Sequence, residues 1–139
     1  MKDCIFCKIV KGEIPSVKVY ENDRVLAFED INPLCDGHTL IIPKVHAENI
    51  FELSAEDLAA IHTASKKLAH AIKKTFETTG IAFLQLNGKG VNQAVMHYHM
   101  HLLPRIPGSP EISLTRWDLI PGDMTKIKKI GSTIASAVK

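Results

Sequence analysis

The sequence predicts an α+β domain built on an antiparallel sheet. Short runs rich in β-branched and aromatic residues, separated by polar turns, predict the strands. One long stretch with apolar residues at helical spacing predicts a helix over them. A third pattern, Met96-His97-Tyr98-His99-Met100-His101-Leu102-Leu103-Pro104, alternates strictly and reads as one more strand. With 139 residues the chain has room for one domain, 1–139, and little more.

Residues 17–20 and 24–29 flank the polar turn Glu21-Asn22-Asp23 and read as a hairpin. A loop through Asp36-Gly37 leads into His38-Thr39-Leu40-Ile41-Ile42-Pro43, a third strand closed by its proline. The helix begins at Ser54, a good N-cap, with Asp57 three residues on and Leu53 and Leu58 placed as a hydrophobic staple. Leu58, Ile61, Leu68, Ile72 and Phe76 form its apolar stripe, and Gly80 is the expected stop. Residues 81–87 read as a strand, Asn87-Gly88-Lys89-Gly90 as a tight loop, and 121–139 as a second, weaker helix.

The composition is that of a soluble globular chain, 45% hydrophobic and 23% charged. A net charge of +2 gives no argument for nucleic acid or a membrane surface. The Lys66-Lys67 and Lys73-Lys74 pairs read as a solvated helix face. No apolar run is long enough for a membrane span, and the first residues carry charges where a signal peptide needs its apolar core, so a cytoplasmic location is expected. Three cysteines cannot all pair, and no disulfide framework is expected. Cys35 reads as a bystander thiol.

In a strand of period two, His97, His99 and His101 share one face and Met96, Tyr98, Met100 and Leu102 the other. The apolar face is expected on the long helix; the imidazoles must be wet, ligated or otherwise paired. They either bind a metal together, or one is a nucleophile whose neighbours supply hydrogen bonds and proton transfer. Cys4-x-x-Cys7 has the gap of a tetrahedral zinc site needing two more ligands, for which His46 and one strand histidine are candidates; redox chemistry is the competing reading.

His97-Tyr98-His99-Met100-His101-Leu102-Leu103 matches the pattern His-φ-His-φ-His-φ-φ, with φ apolar. With Phe28-Glu29-Asp30-Ile31-Asn32-Pro33, with 37–44 and with the 87–93 loop, in that order, it resembles the histidine-triad (HIT) family of nucleotidyl hydrolases and transferases. The resemblance covers residues 3–105; residues 106–139, including Trp117, form a C-terminal extension with no assigned role.

The resemblance implies a HIT-like fold: a five-stranded antiparallel sheet, one long helix and a second C-terminal helix, in a homodimer with a continuous sheet. It implies a purine nucleotide substrate such as AMP or its conjugates. His99 is implied as the nucleophile at the α-phosphorus, with His101 and His38 on the phosphate or leaving-group side. Asp30 is implied at the ribose, Phe28 and Ile31 at the base, Asn87 and Gln93 at the nucleotide, and the backbone of Ala94 and Val95 at the phosphate. Similar members with the Cys-x-x-Cys pair hold structural zinc, which assigns Cys4, Cys7, His46 and His97; no catalytic metal is required. Many members have serine or threonine where Ala94 stands. The uridylyltransferase branch has glutamine at the third triad position and proline between the first two histidines, where this chain has His101 and Tyr98, so a hydrolase is expected. A nucleotide-binding or scaffolding protein with incidental catalysis, and a metal-storage or redox protein, are the alternatives.

Overall fold

The computed structural model describes residues 3–109 and 119–137. Its elements are α1 (Ile5–Val10), β1 (Lys18–Glu21), β2 (Val25–Glu29), β3 (Thr39–Pro43), α2 (Ala55–Phe76), β4 (Gly80–Gln85), a 3-10 turn (Lys89–Val91), β5 (Met100–Arg105) and α3 (Met124–Ala137). The five strands form one sheet in the order β1-β2-β3-β5-β4, and every pair of neighbours is antiparallel.

The near-continuous apolar runs of β2 and β3 follow from where these strands lie. Val25, Ala27 and Ile41 point to one face, join Met100 and Leu102 of β5, and pack under Ile61, Ala64 and Leu68 of α2. Leu26, Phe28, Leu40 and Ile42 point to the other face and pack under Phe6 of α1. A strand covered on both sides has no polar face to present, so the sequence shows no alternation there. The helix α1 was not foreseen: six residues, with Cys4 at the N-cap and Cys7 inside, give too short a period to read.

The long helix starts where expected. Ser54 caps it, its Oγ accepting from the Asp57 N–H at 3.0 Å and donating to the Asp57 carboxylate at 2.7 Å. Arg24 donates to the same carboxylate at 2.8 Å, which ties the head of α2 to the β1–β2 turn. The helix ends earlier than expected. Glu77 takes the left-handed conformation at φ 53° and closes the last turn, whereas Gly80 is the first residue of β4. Ile61 and Leu68 are buried and Leu58 and Ile72 partly so, but Phe76, the last residue of α2, is 46% exposed. Within the expected 121–139 helix, α3 has no buried residue.

The histidine strand is shorter than the alternation suggested. The ladder begins at Met100, which pairs with Ile41 and Gln85; His97 and His99 precede it. The Tyr98 N–H donates to the Ala47 carbonyl at 2.7 Å, and the Pro43 carbonyl accepts from the His97 side chain at 2.9 Å. Proline has no N–H for a ladder, so at this point side-chain and loop contacts take over from strand pairing. Alternation survives for three of the four: Tyr98, Met100 and Leu102 are buried beneath α2, as expected, but Met96 is only half-buried and lines a surface hollow with Cys4 and His46 instead.

The Asp57 carboxyl is held below its ordinary value of 3.8, first by the Ser54 hydroxyl and then by Arg24, against the opposing effect of burial. Its contribution to stability is therefore complete above that value and disappears as pH falls through the lower folded one. Asp57→Asn is expected to cost about 1 kcal/mol at neutral pH. Urea unfolding of both proteins as a function of pH checks this: the gap should be constant above about pH 5 and close in stronger acid.

A candidate active site of buried histidines

His97 and His99 lie just before β5, His101 within it and His38 just before β3; backbone groups place a ring nitrogen of His38, His97 and His99, and His38 in turn places one of His101. Gly37 makes the turn that returns His38 to the sheet: its φ is +80°, and a Cβ there would stand 2.9 Å from Pro104 Cγ. Such a position admits glycine on both counts. His38, His97 and His99 are buried, at 3%, 0% and 6% exposure.

Backbone groups are fixed donors or acceptors, so they assign the imidazole tautomers. The Pro43 carbonyl can only accept, so His97 carries its proton on Nε2 and turns its Nδ1 lone pair toward the cysteines. The His97 carbonyl accepts from His99 Nδ1–H at 2.7 Å, which leaves the His99 Nε2 lone pair free. The Leu34 N–H donates to His38 Nδ1 at 3.0 Å, so the proton of neutral His38 sits on Nε2. That nitrogen is 2.8 Å from His101 Nδ1, which accepts, so His101 carries its own proton on Nε2.

Neutrality is set chiefly by burial. It pushes His101 and His97 down to about 4, with neighbouring imidazoles adding to the effect in both. It also lowers His99 and His38, against the opposing pull of the Asp30 carboxylate. Phe6 covers the group, its ring centroid 5.2 Å from that of His99 and 5.5 Å from that of Phe28, edge-on to both. Phe6 was missed in the sequence because it lies between the two cysteines, where metal spacing rather than apolarity attracts notice.

The first triad histidine faces a different partner set. His97 Nδ1 lies 3.4 Å from Cys4 Sγ and 3.6 Å from Cys7 Sγ, and His46 Nδ1 lies 3.3 Å from Cys7 Sγ. Zinc bonds of about 2.3 Å to sulfur and 2.0–2.1 Å to nitrogen give a tetrahedral S···N edge of about 3.5 Å. The four residues thus fit a zinc ion, with the Pro43 carbonyl as the outer partner that fixes the His97 tautomer. Burial and the adjacent Cys4 raise the Cys7 thiol, against a smaller opposing pull from Lys11. Asp30, His38 and His101 also lie within ligand distance of one another. They fit a metal poorly, because the Leu34 N–H occupies the nitrogen of His38 that would have to carry the proton.

The remaining predicted residues separate into two sets. Asp30 stands beside the cluster, its Oδ2 3.6 Å from His38 Nε2 and its Oδ1 accepting from the Asn32 N–H. Phe28 is buried under Phe6, while Ile31 is 85% exposed on the loop that follows. Gln93 is buried and fully engaged within the protein. It donates to the Glu48 and Val95 carbonyls and accepts from the Gly88 N–H, and so closes the loop before the triad. Asn87 likewise accepts from the Ile50 N–H and donates to Gln85. By contrast, the backbone N–H groups of Ala94 and Val95 meet no acceptor among the described residues.

An antiparallel α+β domain with three alternating, oriented histidines at the end of its central strands defines a histidine-triad protein. The sequence model of the HIT domain matches residues 11–108, and the chain belongs to the HIT family. It is 50% identical over 104 residues to the protein Hit of Bacillus subtilis, covering 75% of this chain and 72% of that one. It is 43% identical over 136 residues to an adenosine 5'-monophosphoramidase of Schizosaccharomyces pombe, covering 98% of each. The solved structure of a histidine triad nucleotide-binding protein from Candida albicans superposes with a TM-score of 0.81 at 34% identity, over 96% of both chains.

Proposed function

We propose that the protein is a nucleotide hydrolase that cleaves at the α-phosphate through a covalent nucleotidyl-histidine intermediate and releases a nucleoside monophosphate. The observation that carries this is the 2.7 Å hydrogen bond from His99 Nδ1–H to the His97 carbonyl. It leaves a neutral Nε2 lone pair aimed outward, which is what a nucleophilic imidazole needs. The yeast phosphoramidase and the Candida nucleotide-binding protein support the substrate class. Nucleoside phosphoramidates are the first substrates to try; adenylate adducts and dinucleoside polyphosphates present the same α-phosphorus. Asp30 would take the ribose hydroxyls, Phe28 and Ile31 the base, and the free N–H groups of Ala94 and Val95 the phosphoryl oxygens, whose charge grows in the transition state. In this reading Asn87 and Gln93 serve the nucleotide by holding the loop in shape.

In the first step His99 Nε2 forms a bond to phosphorus, the bond to the leaving atom breaks, and its electron pair departs with that atom. The leaving atom takes the Nε2 proton of His101. In the second step water attacks phosphorus, the N–P pair returns to His99, and the water proton restores His101. Every transfer runs between imidazoles, phosphorus and water, and no step calls on a metal.

Zinc on Cys4, Cys7, His46 and His97 would be structural, since four protein ligands leave no open position. It would join α1 to the triad segment, and thiolate ligands suit a reducing, cytoplasmic compartment. No helix among the described residues is long and apolar enough to cross a membrane. A homodimer would cover the outer edge of β4, where Phe83 is 45% exposed.

Two measurements test the proposal. His99→Ala should lower AMP release from an adenosine phosphoramidate about a thousandfold or more at equal folded concentration; equal rates in both proteins would remove His99 as nucleophile. Elemental analysis should find one zinc per chain, reduced in Cys4→Ser together with thermal stability. More than one metal per chain, or a thiol pair that cycles reversibly with oxidant, would favour a storage or redox protein instead.

A further inference from the structure

We infer that α3 is an exchanged arm: it docks on a second copy of the chain, in an apolar hollow beside the C-terminal half of α2. The contact leaves the edge of β4 free and asks nothing of the histidine cluster. Met124, Ile127, Ile130 and Ile134 share one face of α3 and are 58%, 50%, 49% and 60% exposed, and no residue of the helix is buried. A helix of 14 residues is marginal by itself in water. Gly131 in its interior and Lys126 in its first turn, at the positive end of the helix dipole, weaken it further. Its polar face is already satisfied, since Ser132, Thr133 and Ser136 donate to carbonyls one turn back. Only the apolar face lacks a partner, and the described residues of its own chain supply none.

The surface that fits it is a hollow of about 470 Å³. Leu68, Ile72 and Phe76 line it from α2, and Val19 and Ile106 from outside the helix. Phe76 and Val19 are 46% and 45% exposed, so the hollow leaves apolar surface in water. The lengths agree: Leu68 to Phe76 spans about 12 Å and Ile127 to Ile134 about 11 Å, at about 1.5 Å of rise per residue. Charge agrees as well. Glu29 and Asp36 line the hollow, and no lysine or arginine does. The helix has three lysines, Lys126, Lys128 and Lys129, and no acidic residue; Lys126 and Lys128 flank the apolar stripe on its two sides. None of these five charges has an ion-pair partner among the described residues.

Each chain thus carries one helix and one hollow that match. A two-fold pair in which each α3 enters the hollow of the other chain uses both and closes on itself. An anionic membrane is the other surface that a basic amphipathic helix can meet. Such helices anchor through Trp, Phe or Leu. The apolar face of α3 has only Met and Ile beside small residues, and stiff β-branched side chains suit a shaped protein groove.

The test uses the full-length protein with Phe76→Cys combined in turn with Ile127→Cys, Ile130→Cys or Ile134→Cys. All four positions are 46–60% exposed, so the fold does not depend on them. After oxidation with copper phenanthroline, at least one of the three proteins should run as a covalent pair of chains on a non-reducing gel. Its yield should be about tenfold above the wild-type background from the native thiols, because docked thiols meet at high effective concentration. A disulfide closed within one chain would overturn the exchange, and so would the absence of any cross-link in all three proteins.

Asp36→Lys should lower the cross-linked fraction about threefold, and adding Lys126→Glu and Lys128→Glu should restore it. A reversal that restores nothing would remove the charge match on which the pairing rests. Flotation with phosphatidylserine vesicles decides the alternative. The wild type should stay out of the vesicle fraction. Vesicle binding that is lost in the Ile127→Glu, Ile130→Glu protein, together with no cross-linked pair, would assign the helix to a membrane surface instead.

Discussion

The site depends on one constraint: His38, His97 and His99 are oriented by backbone groups that can act in only one direction, and His101 is oriented through His38. The Pro43 and His97 carbonyls accept, and the Leu34 N–H donates, at separations of 2.7 to 3.0 Å. A neutral imidazole has one proton and two nitrogens, so engaging one nitrogen with a fixed partner decides what the other does. Burial supplies the second half of the condition, since it keeps the rings neutral. Three chemically identical side chains are thereby given three behaviours. His97 turns a lone pair toward two sulfurs, His99 turns one outward, and His101 turns a proton outward.

This arrangement explains why the histidine segment is not simply a strand. Continued pairing would align His99 with Ile42 and Tyr98 with Pro43, and the Pro43 carbonyl would be a ladder acceptor. Instead it is the acceptor for the His97 side chain, and the ladder starts only at Met100. The loss of strand hydrogen bonds is offset locally, by the Tyr98 N–H bond to Ala47 and by packing of Tyr98 under α2. On the opposite face α1 covers the rings with Phe6, and Cys4 at its N-cap and Cys7 within it bring it to the same His97. One short helix therefore both closes the second hydrophobic layer and completes the four-residue sulfur and nitrogen cluster.

The loop before the triad is held in a comparable way. Gln93 bridges Gly88, Glu48 and Val95, and Asn87 joins the loop to Ile50, so the backbone of Ala94 and Val95 is presented by side chains that point inward. The Ala94 side chain adds nothing polar of its own. What the loop can offer a phosphoryl group is its N–H groups, and those do not depend on the identity of the residue.

The sequence by itself determined the α+β class, the strands of the hairpin, the third strand and the start of α2, because alternation, turn residues and a helix cap are local properties. It also singled out residues that the fold brings together, since three alternating histidines and a Cys-x-x-Cys pair are rare patterns. Tertiary structure alone decided which partner each of them meets. Residues 4, 7, 46 and 97 meet only after the sheet has formed, and so do 34, 38 and 101. The end of α2 at Glu77, the exposure of Phe76 and the late start of β5 likewise depend on which neighbouring backbone is within reach. Most of all, no sequence pattern specifies where the proton of an imidazole sits; a carbonyl or an N–H from another part of the chain, about 3 Å away, does that.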